Sequence, residues 1–246
     1  MLNELLLLSG NDIPFIQAQI NIHQPTIKEI GYIGEESFYS GCEILTFSKD
    51  ILKEEDRISL ENKTNFEILM SILMDKNPVL RKNRVDASML FALIFPDYQI
   101  RYSFKEIQLI KEDEIHSINI QNFENFKEIL NAMFCLKTSF KNETNADFNP
   151  AGELSRKIAE KLKKGRAKVN QLKGPQKIAI LSRYISILSV GERKNINELL
   201  NYTVYQLFDE FQRFELKEEF DIYVKAKMAG ARDLKEVDNW KKDIHP

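Results

Sequence analysis

With two cysteines, nine glycines, seven prolines, three histidines and one tryptophan in 246 residues, several kinds of protein are excluded at the outset. Cys42 and Cys135 lie far apart, so there is neither a disulfide framework nor a CxxC metal pair, and a reducing compartment is expected. So little glycine and proline argues for helices over a turn-rich β fold. No apolar run approaches the length that crosses a bilayer. Leu5 to Leu8 follow Glu4 with no basic residue ahead of them, too short a run for a secretory signal core. A protein without membrane partners is expected. The formal charge of −2 and the pI near 6.0 do not call for nucleic acid.

Catalytic spacings are missing too. There is no GxxxxGK[ST] phosphate cradle, no GxSxG and no HExxH. His23, His116 and His245 each stand alone, without a cysteine or carboxylate spaced as a ligand set, so no metal or cofactor is expected. Glu35-Glu36 and Glu54-Glu55-Asp56 are acidic clusters, but neighbouring residues on a helix point apart, and a solvated face is the expectation for both. The chain is read as a protein other than an enzyme.

What is present is apolar residue at helical spacing; 43% of the chain is hydrophobic, enough for a substantial core. Residues 1–22 read as extended, with turn chemistry at Asn11-Asp12 and Ile13-Pro14. A helix is predicted from Pro25 or Thr26, where Glu29 stands at capping-box spacing. Along it Ile27, Ile30, Gly34, Phe38, Gly41 and Leu45 share a face, and glycines on an apolar face predict the close passage of another backbone. Residues 48–63 read as loop, and 65–74 and 79–95 as helices. Met70, Met74 and Met89 read as core gap-fillers. Residues 98–120 switch to a period of two, as in short antiparallel strands, and 123–134 supply a covering helix. Residues 137–152 read as a boundary. After it come a basic helix, a narrow seam of Ile178, Leu181, Ile185 and Leu188 on a helix expected to be buried on most sides, a short helix over 195–202, and a last helix over 234–244 anchored by Trp240. The fold class is therefore mainly α, close to all-α, a helical protein with a small antiparallel β element near residues 98–120. Its domains are 1–145, α with some β, and 150–246, helical.

The stretch from 202 onward organises this reading. Val204, Leu207, Phe208 and Phe211 fall at i, i+3, i+4 and i+7, and Leu216, Phe220, Val224 and Met228 continue at steps of four. The order Tyr205-Gln206-Leu207-Phe208-Asp209-Glu210-Phe211, with Arg213-Phe214, then Lys225-Ala226 with Ala229-Gly230-Ala231, then Val237, Trp240 and Asp243-Ile244-His245, resembles the C-terminal part of proteins from the tail gene clusters of contractile-tailed phages. These are tail assembly chaperones, or T-even-type baseplate hub assembly proteins. The resemblance is strongest over 178–245. A weaker one covers 22–45, where it begins Ile22-His23-Gln24-Pro25-Thr26-Ile27-Lys28-Glu29-Ile30; together they span under half of the chain.

The resemblance implies a bacteriophage protein of the host cytoplasm or of the virion tail. It would act without catalysis, binding tail or baseplate proteins, with a second copy of itself as a further candidate partner. The residues taken as partner-binding are Tyr205, Phe208, Phe211, Phe214, Phe220, Trp240, Ile27, Ile30 and Phe38, for which an ordinary core is the competing reading. The alternative function is a nucleic-acid-binding accessory protein using the basic helix 153–173, with Arg156, Lys157, Lys161, Lys163, Lys164, Arg166 and Lys168 as its surface. Nucleic acid is the lesser reading, because no aromatics interleave these charges to stack bases. The expected outcome is that the chain shows no DNA binding with a steep salt dependence. Mobility shifts across a salt series check it, and binding abolished by neutralising Lys161, Lys163, Lys164 and Arg166 would establish the alternative.

Overall fold

Asn3 starts the first helix: its side chain accepts the Leu5 N–H at 3.0 Å, and Gly10 closes the helix in the left-handed region at φ 70°. This α1, Glu4–Ser9, belongs to a computed structural model that describes residues 3–48, 62–74, 81–136, 179–231 and 236–242. Most of the loop expected at 48–63, the boundary at 137–152 and the basic helix 153–173 lie outside the described residues.

The first 22 residues are thus not an extended arm. After α1 come two antiparallel strands, β1 (Ile13–Phe15) and β2 (Ile20–Ile22), joined through a 3-10 turn over Ile16–Ala18. Ile13, Phe15, Ile20 and Ile22 are buried, while Pro14 and Asn21 between them are exposed. The period of two is therefore present in the sequence. Pro14 is tolerated because the ladder has only two strands and proline sits at an edge.

Thr26 opens α2 (Ile27–Ile33) with a complete capping box closed by Glu29, as the spacing predicts. Gly34, at φ 85° and ψ 143°, then breaks what reads as one helix into α2 and α3 (Glu35–Leu45). A conformation with φ that positive is open to glycine at little cost. Farther along α3, the expected close approach is real: a Cβ on Gly41 would lie 2.8 Å from the carbonyl oxygen of Asp86 on α5 (Arg81–Ile94). The helix α4, Asn65–Met74, packs beside α5.

The strands β3 (Gln99–Tyr102), β4 (Glu106–Lys111) and β5 (Glu114–Asn119) form an antiparallel meander in the order β3-β4-β5, with Ile100 opposite Leu109 and Ile107 opposite Ile118. The helix α6, Phe123–Met133, covers it. Phe126 on α6 has the rings of Phe15, Phe91 and Phe95 at 6.0, 6.1 and 6.2 Å, so one aromatic cluster ties the N-terminal hairpin, α5 and α6 together.

Beyond residue 178 follow α7 (Ile180–Gly191), α8 (Ile196–Leu199) and α9 (Val204–Met228). The seam helix buries Leu181, Ile185 and Leu188 but exposes Ser182, Arg183, Ser186 and Val190, so it is amphipathic and not buried on most sides. The small polar serines, uncharged, mark its wet face. Residues 236–242 carry only a turn at the Trp240 end and no helix.

The fold class is corrected accordingly. The described residues are 59% helical and 14% strand, with two small antiparallel sheets, so the architecture is mixed α/β and mainly helical, not all-α. The departure comes chiefly from the β1–β2 hairpin at the N-terminus. Residues from both sides of 137–178, such as Ile30, Phe38, Leu188 and Phe208, belong to one continuous core. Gly41→Ala should destabilise this core by about 1–3 kcal/mol, since the neighbour it meets is backbone. Denaturant unfolding with an unchanged slope measures the loss.

Candidate functional site

Two helix starts meet in the middle of the molecule. Thr26 and Thr203 pair as an isolated antiparallel bridge, and each is the N-cap of its helix, closed reciprocally by Glu29 and by Gln206. The first N–H groups of a helix have no partner within it. Here Ile27 N–H donates to the Tyr202 carbonyl and Lys28 N–H to the Leu200 carbonyl, both at 2.8 Å. The carbonyls at the end of α1 are met by side chains from far away in sequence. The Gln206 amide donates to Leu8 O at 2.7 Å, and the Gln24 amide donates to Leu6 O at 3.0 Å and Asn11 O at 2.6 Å.

Titratable groups gather on the same junction. His23 Nδ1 is 3.0 Å from an Asp12 carboxylate oxygen, and Nε2 is 3.4 Å from Glu29 Oε1. Burial raises the Glu29 pKa, but the Thr26 N–H and hydroxyl, both donating at 2.7 Å, and the adjacent His23 outweigh it and hold the carboxyl below its ordinary value. The Thr26 hydroxyl is thereby spent on the cap. His116 lies against other partners, the Ala18 carbonyl at 3.1 Å and Glu114 at 3.3 Å. Among the described residues no group of three or more His, Cys, Asp or Glu side chains is arranged to hold a metal ion.

The Glu35-Glu36 pair is not merely a solvated face. Glu35 accepts from Leu181 N–H at 2.7 Å, Ser182 N–H at 3.4 Å and Ser182 Oγ at 3.2 Å, so a carboxylate at the start of α3 caps the start of α7. Negative charge there also complements the helix dipole. Glu36 pairs with Lys82 at 2.7 Å. Nothing near Glu35 in sequence signals this, because its partners are 146 and 147 residues away. Gln206 was legible in principle, standing three after Thr203 in the same pattern as Thr26 and Glu29.

The residues singled out by sequence divide in two. Ile27, Ile30, Phe38, Tyr205, Phe208 and Phe211 are buried in the core. Tyr184 of α7 stacks on Phe211 at 3.6 Å between centroids and meets Phe208 edge-on at 5.1 Å. Phe214, Phe220 and Trp240 are half-buried. Phe214 lies directly over Gly191, where a Cβ would stand 2.4 Å from the ring. The basic set from Arg156 to Lys168 lies outside the described residues.

The helix α9 carries two apolar faces. Its first half is held by Lys194, which bonds Glu210 and the Tyr202 hydroxyl and lies 3.7 Å from Glu192. Burial opposes the charge on Lys194, but Glu210 and Tyr202 push its pKa up. Burial and the Glu210 carboxylate push Glu192 up. Glu210, raised by burial, ends lowered by its bonds with Lys194 and Glu192. At 3.6 residues per turn, Phe220 stands roughly half a turn around the helix from Phe211. The stripe of Phe220, Val224 and Met228 therefore points away from the core that holds Phe208 and Phe211. Val224 is 36% and Met228 84% exposed. Residues 236–242 fold back toward this side, where Arg213 donates to the carbonyls of Trp240 and Lys242. A second exposed apolar place is an open groove of about 570 Å³ along α4 and α5, lined by Leu73, Arg84, Val85, Ser88, Met89 and Ala92.

Residues 173–245 match the family described as the YomV second domain, a phage-derived family. The match takes in α7, α8, α9 and the returning 236–242. It accords with a phage protein and carries neither the tail-assembly nor the baseplate assignment. No curated protein and no solved structure matches the chain. No helix among the described residues is long and apolar enough to cross a membrane.

Two outcomes test the junction. Thr203→Ala should cost about 1–2 kcal/mol of unfolding free energy, read by denaturant titration. Glu29, with its folded pKa depressed, contributes stability that is complete above its ordinary value of 4.5 and is lost as pH falls through the lower folded value. Glu29→Gln should remove that part of the acid-side slope in melting temperature measured against pH.

Proposed function

We propose that the chain is a non-enzymatic phage protein that serves tail or baseplate assembly through protein–protein contacts. It either shields tail components before they assemble or takes a place in the hub. In the first role it works in the host cytoplasm, and in the second it stays in the virion tail. The observation that carries this reading is the match of residues 173–245 to a phage-derived domain, over the same stretch where the tail-protein sequence pattern runs from Tyr205 to His245. Two features of the surface agree with contact work. Apolar side chains are exposed in the groove along α4 and α5 and on the far half of α9. The titratable cluster at His23 is engaged in closing the start of α2, and the one at Lys194 ties the turn after α7 to the body of α9; a cleft of convergent acid and base groups is what an enzyme reading would need.

Co-purification of the chain with the products of its flanking genes is the test. Stable capture of a tail or baseplate subunit is the expected result. Failure to capture any of them, together with DNA binding that falls steeply with salt, overturns the proposal in favour of the basic stretch as a nucleic-acid surface.

A further inference from the structure

The chain leaves α7 through Gly191, Glu192, Arg193 and Lys194, a turn that lies against the side of α9. Its backbone is held in an unusual shape. The Phe214 ring leaves no room for a side chain at Gly191, and Arg193 sits in the left-handed region at φ 57°, which an L residue adopts at a cost. The side chains of the turn supply the hold. Lys194 donates to Glu210 on α9 and, at 3.1 Å, to the Tyr202 hydroxyl, while a Glu192 oxygen lies 3.7 Å from the same ammonium. The Tyr202 O–H in turn serves Glu210, and Glu192 and Glu210 bond each other. All three charged side chains are half-buried, so solvent screens them only in part.

An ionised carboxylate has no hydrogen to give, so a bond between two carboxyl groups needs a proton on one of them. Two carboxylates facing a single ammonium also repel each other, which disfavours ionising both. Glu210 already accepts from Lys194 and Tyr202, so it is the better anion and the proton falls to Glu192. We infer that Glu192 and Glu210 share one proton beside Lys194, and that this proton latches the turn after α7 to the side of α9. Among the described residues, the charged groups that face the pair are Lys194 in the turn and Lys217 on α9. Arg183 on α7 faces Glu215. When the proton leaves for solvent, two anions meet across one ammonium and the latch loosens. It does so where α9 leaves the core, one turn before Phe214 and beside Arg213, which holds the carbonyls of Trp240 and Lys242. The hold between α7 and α9 is therefore set by pH.

Glu192→Gln tests the latch, with the melting temperature of the full chain measured from about pH 4.5 to about pH 8. Burial and then the Glu210 carboxyl hold Glu192 above its ordinary value of 4.5. Its contribution to stability is therefore complete below 4.5 and is lost as pH rises through the folded value. Glutamine keeps a donor toward Glu210 at every pH. The variant is expected to match the wild type at the acid end and to melt about 2–4 °C higher at the alkaline end. The carboxyl carbons of Glu192 and Glu210, followed by NMR in the wild type, should titrate in step, as two groups sharing a proton do. A variant that melts below the wild type at the alkaline end overturns the inference, because Glu192 is then an anion paired with Lys194. So do parallel pH profiles, or a Glu192 carbon that titrates on its own like an exposed glutamate.

Discussion

Everything on the C-terminal side of the molecule hangs from the place where Thr26 and Thr203 face each other. A helix start leaves several N–H groups without partners, and burying such groups unpaired costs free energy comparable to a lost hydrogen bond each. Both threonines solve this locally through capping boxes. The remaining donors of α2 are met by the Leu200 and Tyr202 carbonyls, and the end of α1 is met by Gln24 and Gln206. Two helix starts and one helix end thus complete one another. None of the three could be buried where it is without the others, so the relative placement of α1, α2 and α9 follows from hydrogen-bond accounting before any apolar contact is counted.

Glu35 adds a second tie of the same kind. Its carboxylate completes the start of α7 while its own helix packs on α5 through Gly41. The segment that matches a phage-derived second domain is therefore stitched to the first part of the chain at two of its helix starts, those of α7 and α9. The shared core agrees, since Ile30 and Phe38 are buried together with Leu188, Phe208 and Phe211.

That division of labour along α9 also explains why its aromatic residues do different things. Up to Phe211 the helix is a core element, closed by Tyr184 and the Lys194 cluster. Beyond Phe214 the apolar face has rotated out of the core, and the returning 236–242 lie on that side, held by Arg213. The rings of the first half are already committed to the core.

Read alone, the chain shows the elements whose causes lie within a few residues. The Thr26 capping box, the meander at Gln99–Asn119, the covering helix at Phe123 and the close approach at Gly41 all follow from spacing. The hairpin at Ile13–Ile22 carried the same kind of signal, masked by Pro14. The tertiary structure alone decided the rest. That Glu35 caps a helix 146 residues away, that Gln206 reaches back to Leu8, and that Phe208 is core while Met228 is surface depend on which elements meet. Local periodicity says that a face is apolar; only the packed chain says what, if anything, already covers it.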